Sequence, residues 1–167
     1  MAYRNKVYVA FDGDNDMNAY RTFQMWNANP NFDFTFYHAH DLNHALDSSQ
    51  EETIKRKLRE RFANSKLFIL LIGDHTKYQY RFVKWEIDVA VKLELPIVAV
   101  NLNNKRTINS ELMPASLRGN LSVSIPYKEK AIKYAMDNWP DSDKRYRKNE
   151  EIDNYYYKDS VYENLNL

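Results

Sequence analysis

Residues Leu67–Thr76 read LFILLIGDHT, and this stretch decides the fold. Six consecutive apolar residues leave no polar face, so the strand they predict is covered on both sides. A Gly and a short polar loop then end it. IVAV within Ile97–Leu102 has the same unbroken character. Working outward, further strands are expected at Lys6–Phe11, Phe32–His38 and Leu121–Ile125. FDFTFYH alternates more and reads as a strand nearer an edge.

Helical spacing fills the gaps. Met17, Tyr20, Phe23 and Trp26 recur every third residue, with Asn29-Pro30 as a stop. Ile54, Leu58 and Phe62 recur every fourth, behind a capping-box pattern at Ser49 and Glu52. Two more helices are expected over 81–94 and 127–138, the latter closed by Trp139-Pro140. The segment 103–120 reads as irregular, with a helical turn near Pro114–Arg118. Strands alternating with helices require right-handed crossovers and a parallel sheet. The expected class is α/β: a flavodoxin-like, three-layer sandwich with a five-stranded parallel sheet in the order 2-1-3-4-5. Residues 1–140 form the expected domain, and 141–167 a polar, tyrosine-rich tail, partly ordered. In this order ligands bind beyond the carboxyl ends of strands one and three. Two loops are thereby singled out, Phe11-Asp12-Gly13-Asp14 and Gly73-Asp74-His75.

Composition removes several chemistries. With no Cys there is no disulfide, thiol nucleophile or zinc–thiolate site. Three glycines, Gly13, Gly73 and Gly119, are too few and too scattered for a Walker loop or a dinucleotide fingerprint. A formal charge of +1 gives no broad footprint for nucleic acid or an acidic membrane. The start, MAYRNKVYVAF, runs into a strand without a signal-peptide pattern, and no stretch is apolar enough to cross a bilayer. A cytoplasmic location is expected.

One carboxylate stands in the wrong place. Stepping about 100° per residue round helix 81–94 puts Phe82, Val83, Ile87, Val89, Ala90, Val91 and Leu93 on one arc, with Glu86 inside it. A desolvated acid costs stability unless a partner offsets it, and such positions are enriched in functional groups. The structural alternative is that Arg81, His75 or a tyrosine hydroxyl satisfies it. HAHDLNH, with His38, His40, Asp41 and His44, reads as a solvated loop and not a metal site. Asp12, Asp14 and Asp16 invite a magnesium reading, but a turn with Asp14 or Asn15 capping the next helix is preferred. No metal is expected.

KVYVAFDGDND, the Trp26 helix, FTFYHAHD, LFILLIGDHT, RFVKWEIDVAV and IVAVNLN together resemble a TIR-like domain, most closely the ThsB-type proteins of bacterial Thoeris anti-phage defence. The resemblance spans roughly residues 5–139. It implies an NAD+ glycohydrolase and cyclase, with NAD+ as substrate and no resident cofactor. The implied product is a cyclic ADP-ribose isomer that activates an NAD-depleting effector of the ThsA type after an unknown phage trigger. Self-association is a further implied property. The catalytic glutamate of the family lies on the helix after strand three, where Glu86 matches it. Phe11, at the switch point, is read as a stacking surface for nicotinamide or adenine, or as a core plug. Asp12 is read as a ribose ligand or a turn residue, and Trp85 as cover for the site or packing. Arg81 is a candidate phosphate contact or partner for Glu86. His40 and Asp41 fall on the loop after strand two, which often governs closure and assembly. Catalysis by Glu86 requires its side chain to meet an accessible hollow. The rival readings are a non-catalytic TIR-like scaffold and a receiver-like phosphoacceptor domain using Asp74.

Overall fold

Alternate residues of Leu67–Ile72 (β3) enter two separate cores, which is why the run has no polar position. Leu67, Ile69 and Leu71 join Val7 and Val9 of Val7–Ala10 (β1) and Val98 and Val100 of Ile97–Asn101 (β4) on one side. Phe68, Leu70 and Ile72 join Tyr8, Ala10, Ile97 and Ala99 on the other. The computed structural model describes residues 6–27, 32–34 and 48–167, with side chains over 6–27 and 51–167. Phe32–Phe34 (β2), Ser122–Pro126 (β5) and Asn154–Tyr156 (β6) complete the sheet.

Every pairing is parallel, and the strands lie in the order β2-β1-β3-β4-β5-β6. Met17–Trp26 (α1) and Glu129–Lys148 (α4) cover the first core. Ser48–Asn64 (α2) and Val83–Lys92 (α3) cover the second, helped by Met113 and Leu117. A short helix, Asp159–Asn164 (α5), returns Tyr162 to the first core. No helix among the described residues is long and apolar enough to cross a membrane.

Two expectations are corrected. The sheet has six strands, because the segment after residue 141 supplies β6, paired to β5 through Val123 and Tyr155. Asn154 explains the docking: its Nδ2 donates to the carbonyls of Leu117 (3.1 Å) and Asn120 (2.7 Å) and to Ser122 Oγ (3.0 Å). Its Oδ1 accepts the Gly119 N–H, which Gly119 presents from a turn at φ 73°.

The fourth helix also does not stop at Trp139-Pro140 but continues to Lys148 with Pro140 inside it. Proline removes one ladder hydrogen bond, a cost of about 3 kcal/mol in a helix interior. Trp139 and Asp143, both buried on either side of the proline, provide the compensating burial and ion pairing. The Asn29-Pro30 stop, the Ser49 cap and the strand beyond Phe34 lie outside the described side chains or residues.

Candidate functional site

The carboxyl ends of β1 and β3 are joined by a carboxylate that is neither Glu86 nor Asp12. Asp16 stands at the N-cap position of α1 but makes no side-chain cap bond. The capping expected of Asp14 or Asn15 is thus replaced by a different arrangement. Asp16 Oδ2 lies 3.5 Å from Thr76 Oγ1, and Thr76 Oγ1 also accepts the Gly73 N–H at 2.9 Å. A Cβ on Gly73 would fall on the Asp16 carboxylate. Glycine at 73 therefore makes room for an acid 57 positions earlier in the chain.

Burial, then the neighbouring charges of Asp12 and Asp74, push the Asp16 carboxyl from 3.8 up to about 6, against the opposing pull of Thr76 and His75. An acid whose folded value is raised favours the native state most at low pH. That contribution is complete below about 4 and is lost as pH rises through about 6. Asp16→Asn is therefore expected to gain stability over wild type by about 1 kcal/mol at pH 7.5, discounted for solvent screening, and to gain almost nothing at pH 4.5. Thermal melts of both proteins at the two pH values measure this; a gain that grows toward low pH contradicts it. Gly73→Ala is expected to cost about 1 kcal/mol, since the added methyl displaces the Asp16 carboxylate and not backbone, and Asp16→Ala to recover most of it in the double variant. Additive losses in that cycle would refute the contact.

Phe11 is buried and stacks on Tyr20 of α1, with centroids 4.4 Å apart and planes 4° apart, so it plugs the first core. Asp12, also buried, uses Oδ1 to accept the Asp14 N–H (3.0 Å) and Oδ2 to accept the Asn15 amide (2.6 Å). Its two oxygens hold the turn. Trp85 is half-buried between α2 and α3, edge-on to Phe62 at 6.0 Å, with Arg59 and Lys55 over its ring. It packs the helices together. Arg81 is exposed and pairs with Glu51 of α2 at 3.6 Å. His40 and Asp41 lie outside the described residues. Among the described residues no group of three or more His, Asp or Glu is placed to hold a metal ion.

Glu86 sits in the first turn of α3, directly after the loop that leaves β3. Its backbone N–H donates to Phe82 at 2.7 Å, and its side chain is only 1% exposed. Most of the apolar arc holds beside it: Val83, Ile87 and Ala90 are buried and Val89 and Val91 half-buried, while Leu93 at the C-terminal end is exposed. Among the described residues Glu86 is covered, its carboxylate closed off from solvent. The first turn of a helix suits a negative charge, since the unbonded N–H groups there carry partial positive charge.

The sequence shows Asp16 only as the third acid of FDGDND; its contact with Gly73 and Thr76 is hidden there, because periodicity carries no information on contacts between distant loops.

A parallel sheet in this order, with acids gathered at the ends of β1 and β3 and a buried glutamate opening α3, defines a flavodoxin-like α/β domain, a fold whose ligands bind at the switch point. Residues 8–107 match the family model of the Thoeris protein ThsB, TIR-like domain, and the chain belongs to that family. The matched stretch holds β1 to β4 and Glu86; β5, β6, α4 and α5 lie beyond it.

Proposed function

We propose that this chain cleaves the nicotinamide–ribose bond of NAD+ and that Glu86 is its catalytic carboxylate. The observation that carries the reading is Glu86 itself, a buried acid in the first turn of the helix that follows β3, in a ThsB-family TIR-like domain. When the bond breaks, nicotinamide leaves as a neutral base with the electron pair, and positive charge gathers on the ribose. A carboxylate in a water-poor setting stabilises that charge far better than one in bulk water. Attack by water gives ADP-ribose and a proton. Attack by a nucleophile within the same ADP-ribosyl group gives a cyclic isomer and a proton. In this reading the cyclic product is the signal, received by an effector of the ThsA type that depletes NAD+.

Substrate reaches Glu86 only after its cover is displaced, because the side chain is 1% exposed. The resting protein is accordingly slow, and an infection-derived trigger opens the site. Phe11 and Asp12 shape the crevice wall and turn and are not assigned a contact with substrate. The experiment is mass spectrometry of the nucleotides formed from NAD+ in lysates of phage-infected cells carrying this chain, wild type against Glu86→Gln. A cyclic ADP-ribose isomer present only with the wild type supports the proposal.

The burial of Glu86 also favours a second reading, a non-catalytic TIR-like scaffold in which the carboxylate serves only the fold. That reading gains if protection against phage survives Glu86→Gln with no nicotinamide released. The receiver-like alternative finds no support: Asp74 is exposed beyond Gly73 and not at the strand end.

A further inference from the structure

At the opposite end of the sheet from Glu86, a hollow of about 270 Å³ opens where β4 and β5 begin. Val91, Ile97, Leu121 and Ile152 give it an apolar lining, and Ile152 leaves 45% of its surface to solvent. Charges of both signs share the same wall: Arg147, Glu94 and Glu150. Arg147 is locked in place, its Nε bonded at 2.9 Å to Asp143, whose side chain is 5% exposed. The pair fixes the guanidinium while its terminal nitrogens have no partner among the described residues.

Glu94 and Glu150 stand one residue past the C-caps of α3 and α4, at φ 55° and 59°. Left-handed backbone favours glycine or asparagine, which the chain uses at Gly119, Asn104 and Asn166. The only glutamates in that conformation among the described residues border this one hollow.

We propose that the hollow binds a free aliphatic α-amino acid, its carboxylate on the Arg147 fork, its ammonium between Glu94 and Glu150, and its side chain on Val91, Ile97, Leu121 and Ile152. The lining is a complement to a zwitterion: a cation with planar paired donors, two anions, and an apolar floor. A simple anion meets two glutamates, and a simple cation meets Arg147. The volume falls below the range of drug-sized sites and suits a ligand of this size.

The test is isothermal titration calorimetry of the full chain with L-leucine in low-salt buffer at neutral pH, without NAD+. Saturable binding with Kd below about 1 mM is expected, and loss of any one recognition element is expected to weaken it at least about tenfold. Leucinamide removes the carboxylate, 4-methylpentanoate the ammonium, and glycine the apolar side chain. Glu94→Gln and Glu150→Gln, both surface changes of unchanged shape, are each expected to weaken leucine about fivefold or more. Glu94→Gly is expected to weaken binding at least as much as Glu94→Gln while raising Tm by about 2 °C, since it relieves the left-handed strain. No saturation by about 10 mM leucine overturns the proposal, as does equal affinity for leucinamide or 4-methylpentanoate, or binding indifferent to both glutamine variants. Because no NAD+ is present, the outcome is independent of the role given to Glu86.

Discussion

Glu86→Gln is expected to lower nicotinamide release from NAD+ by about 10²–10³-fold in triggered lysate, with the fold retained. The size follows from the charge it removes. Preorganised groups aimed at charge that develops in the transition state are worth about 3–4 kcal/mol each, and each 1.36 kcal/mol is tenfold in rate. Glutamine keeps the shape of the side chain and one acceptor oxygen but carries no charge. The loss should therefore appear in kcat more than in KM, because the ground-state ribose bears little of the charge that Glu86 stabilises. Quantifying nicotinamide by liquid chromatography, with circular dichroism to verify folding, checks both parts. A folded variant that releases nicotinamide at the wild-type rate would remove Glu86 from the reaction. So would a wild-type protein that releases none under the condition in which it protects cells. The second result would leave the fold, the family and the Asp16–Thr76–Gly73 join untouched, since none of them depends on turnover.

What the amino-acid order discloses, and what it conceals, divides along contact range. LFILLI is legible because a fully covered strand must be apolar at every position, and β3 spans the same six residues, Leu67–Ile72. The displacement of Glu86 into an apolar arc is legible because helical periodicity is local, and its burial agrees. Whether that burial leaves an opening is not a local property, so periodicity is silent on it. Gly73 and Asp16 show the same limit. Each looks ordinary alone, and only the register of β1 beside β3 turns a glycine into the space for an acid. Phe11 and Asp12 each allow two roles from sequence alone, and what only the geometry supplies is the ring stacked on Tyr20 and the carboxylate accepting from its own turn. The segment after Pro140 conceals most. NYY is three residues long, half-exposed and flanked by charge, so no periodicity marks it as a strand. Its place depends on Asn154 reaching residues more than 30 positions earlier and on Tyr155 stacking against Tyr146 at 4.1 Å.

Removal of residues 151–167 is expected to lower stability by more than about 5 kcal/mol, a Tm drop of about 15 °C or more. The segment is charged and tyrosine-rich, which argues for a dispensable appendage, yet three effects oppose that. Tyr162 is 1% exposed within the first core, and truncating a buried large aromatic costs about 3–5 kcal/mol by itself. Trp139, 2% exposed, loses Tyr155 from its surroundings, centroids 6.3 Å apart, and is uncovered on that side. Loss of β6 also exposes the backbone groups of β5 as an unprotected edge, which adds aggregation to instability. Point variants separate apolar burial from polar contact. The Tyr162 hydroxyl is buried with no hydrogen-bond partner among the described residues, and desolvation pushes it up to about 12, partly offset by Arg106, whose guanidinium lies 4.8 Å from the ring. Tyr162→Phe is therefore expected to be neutral or to stabilise by up to about 1 kcal/mol, while Tyr162→Ala costs about 3 kcal/mol. Denaturant unfolding of the three full-length proteins measures both. A truncated chain that melts within about 3 °C of the whole would make the segment an appendage after all. A destabilised Tyr162→Phe would instead mean that the hydroxyl, and not the ring, ties α5 to the sheet.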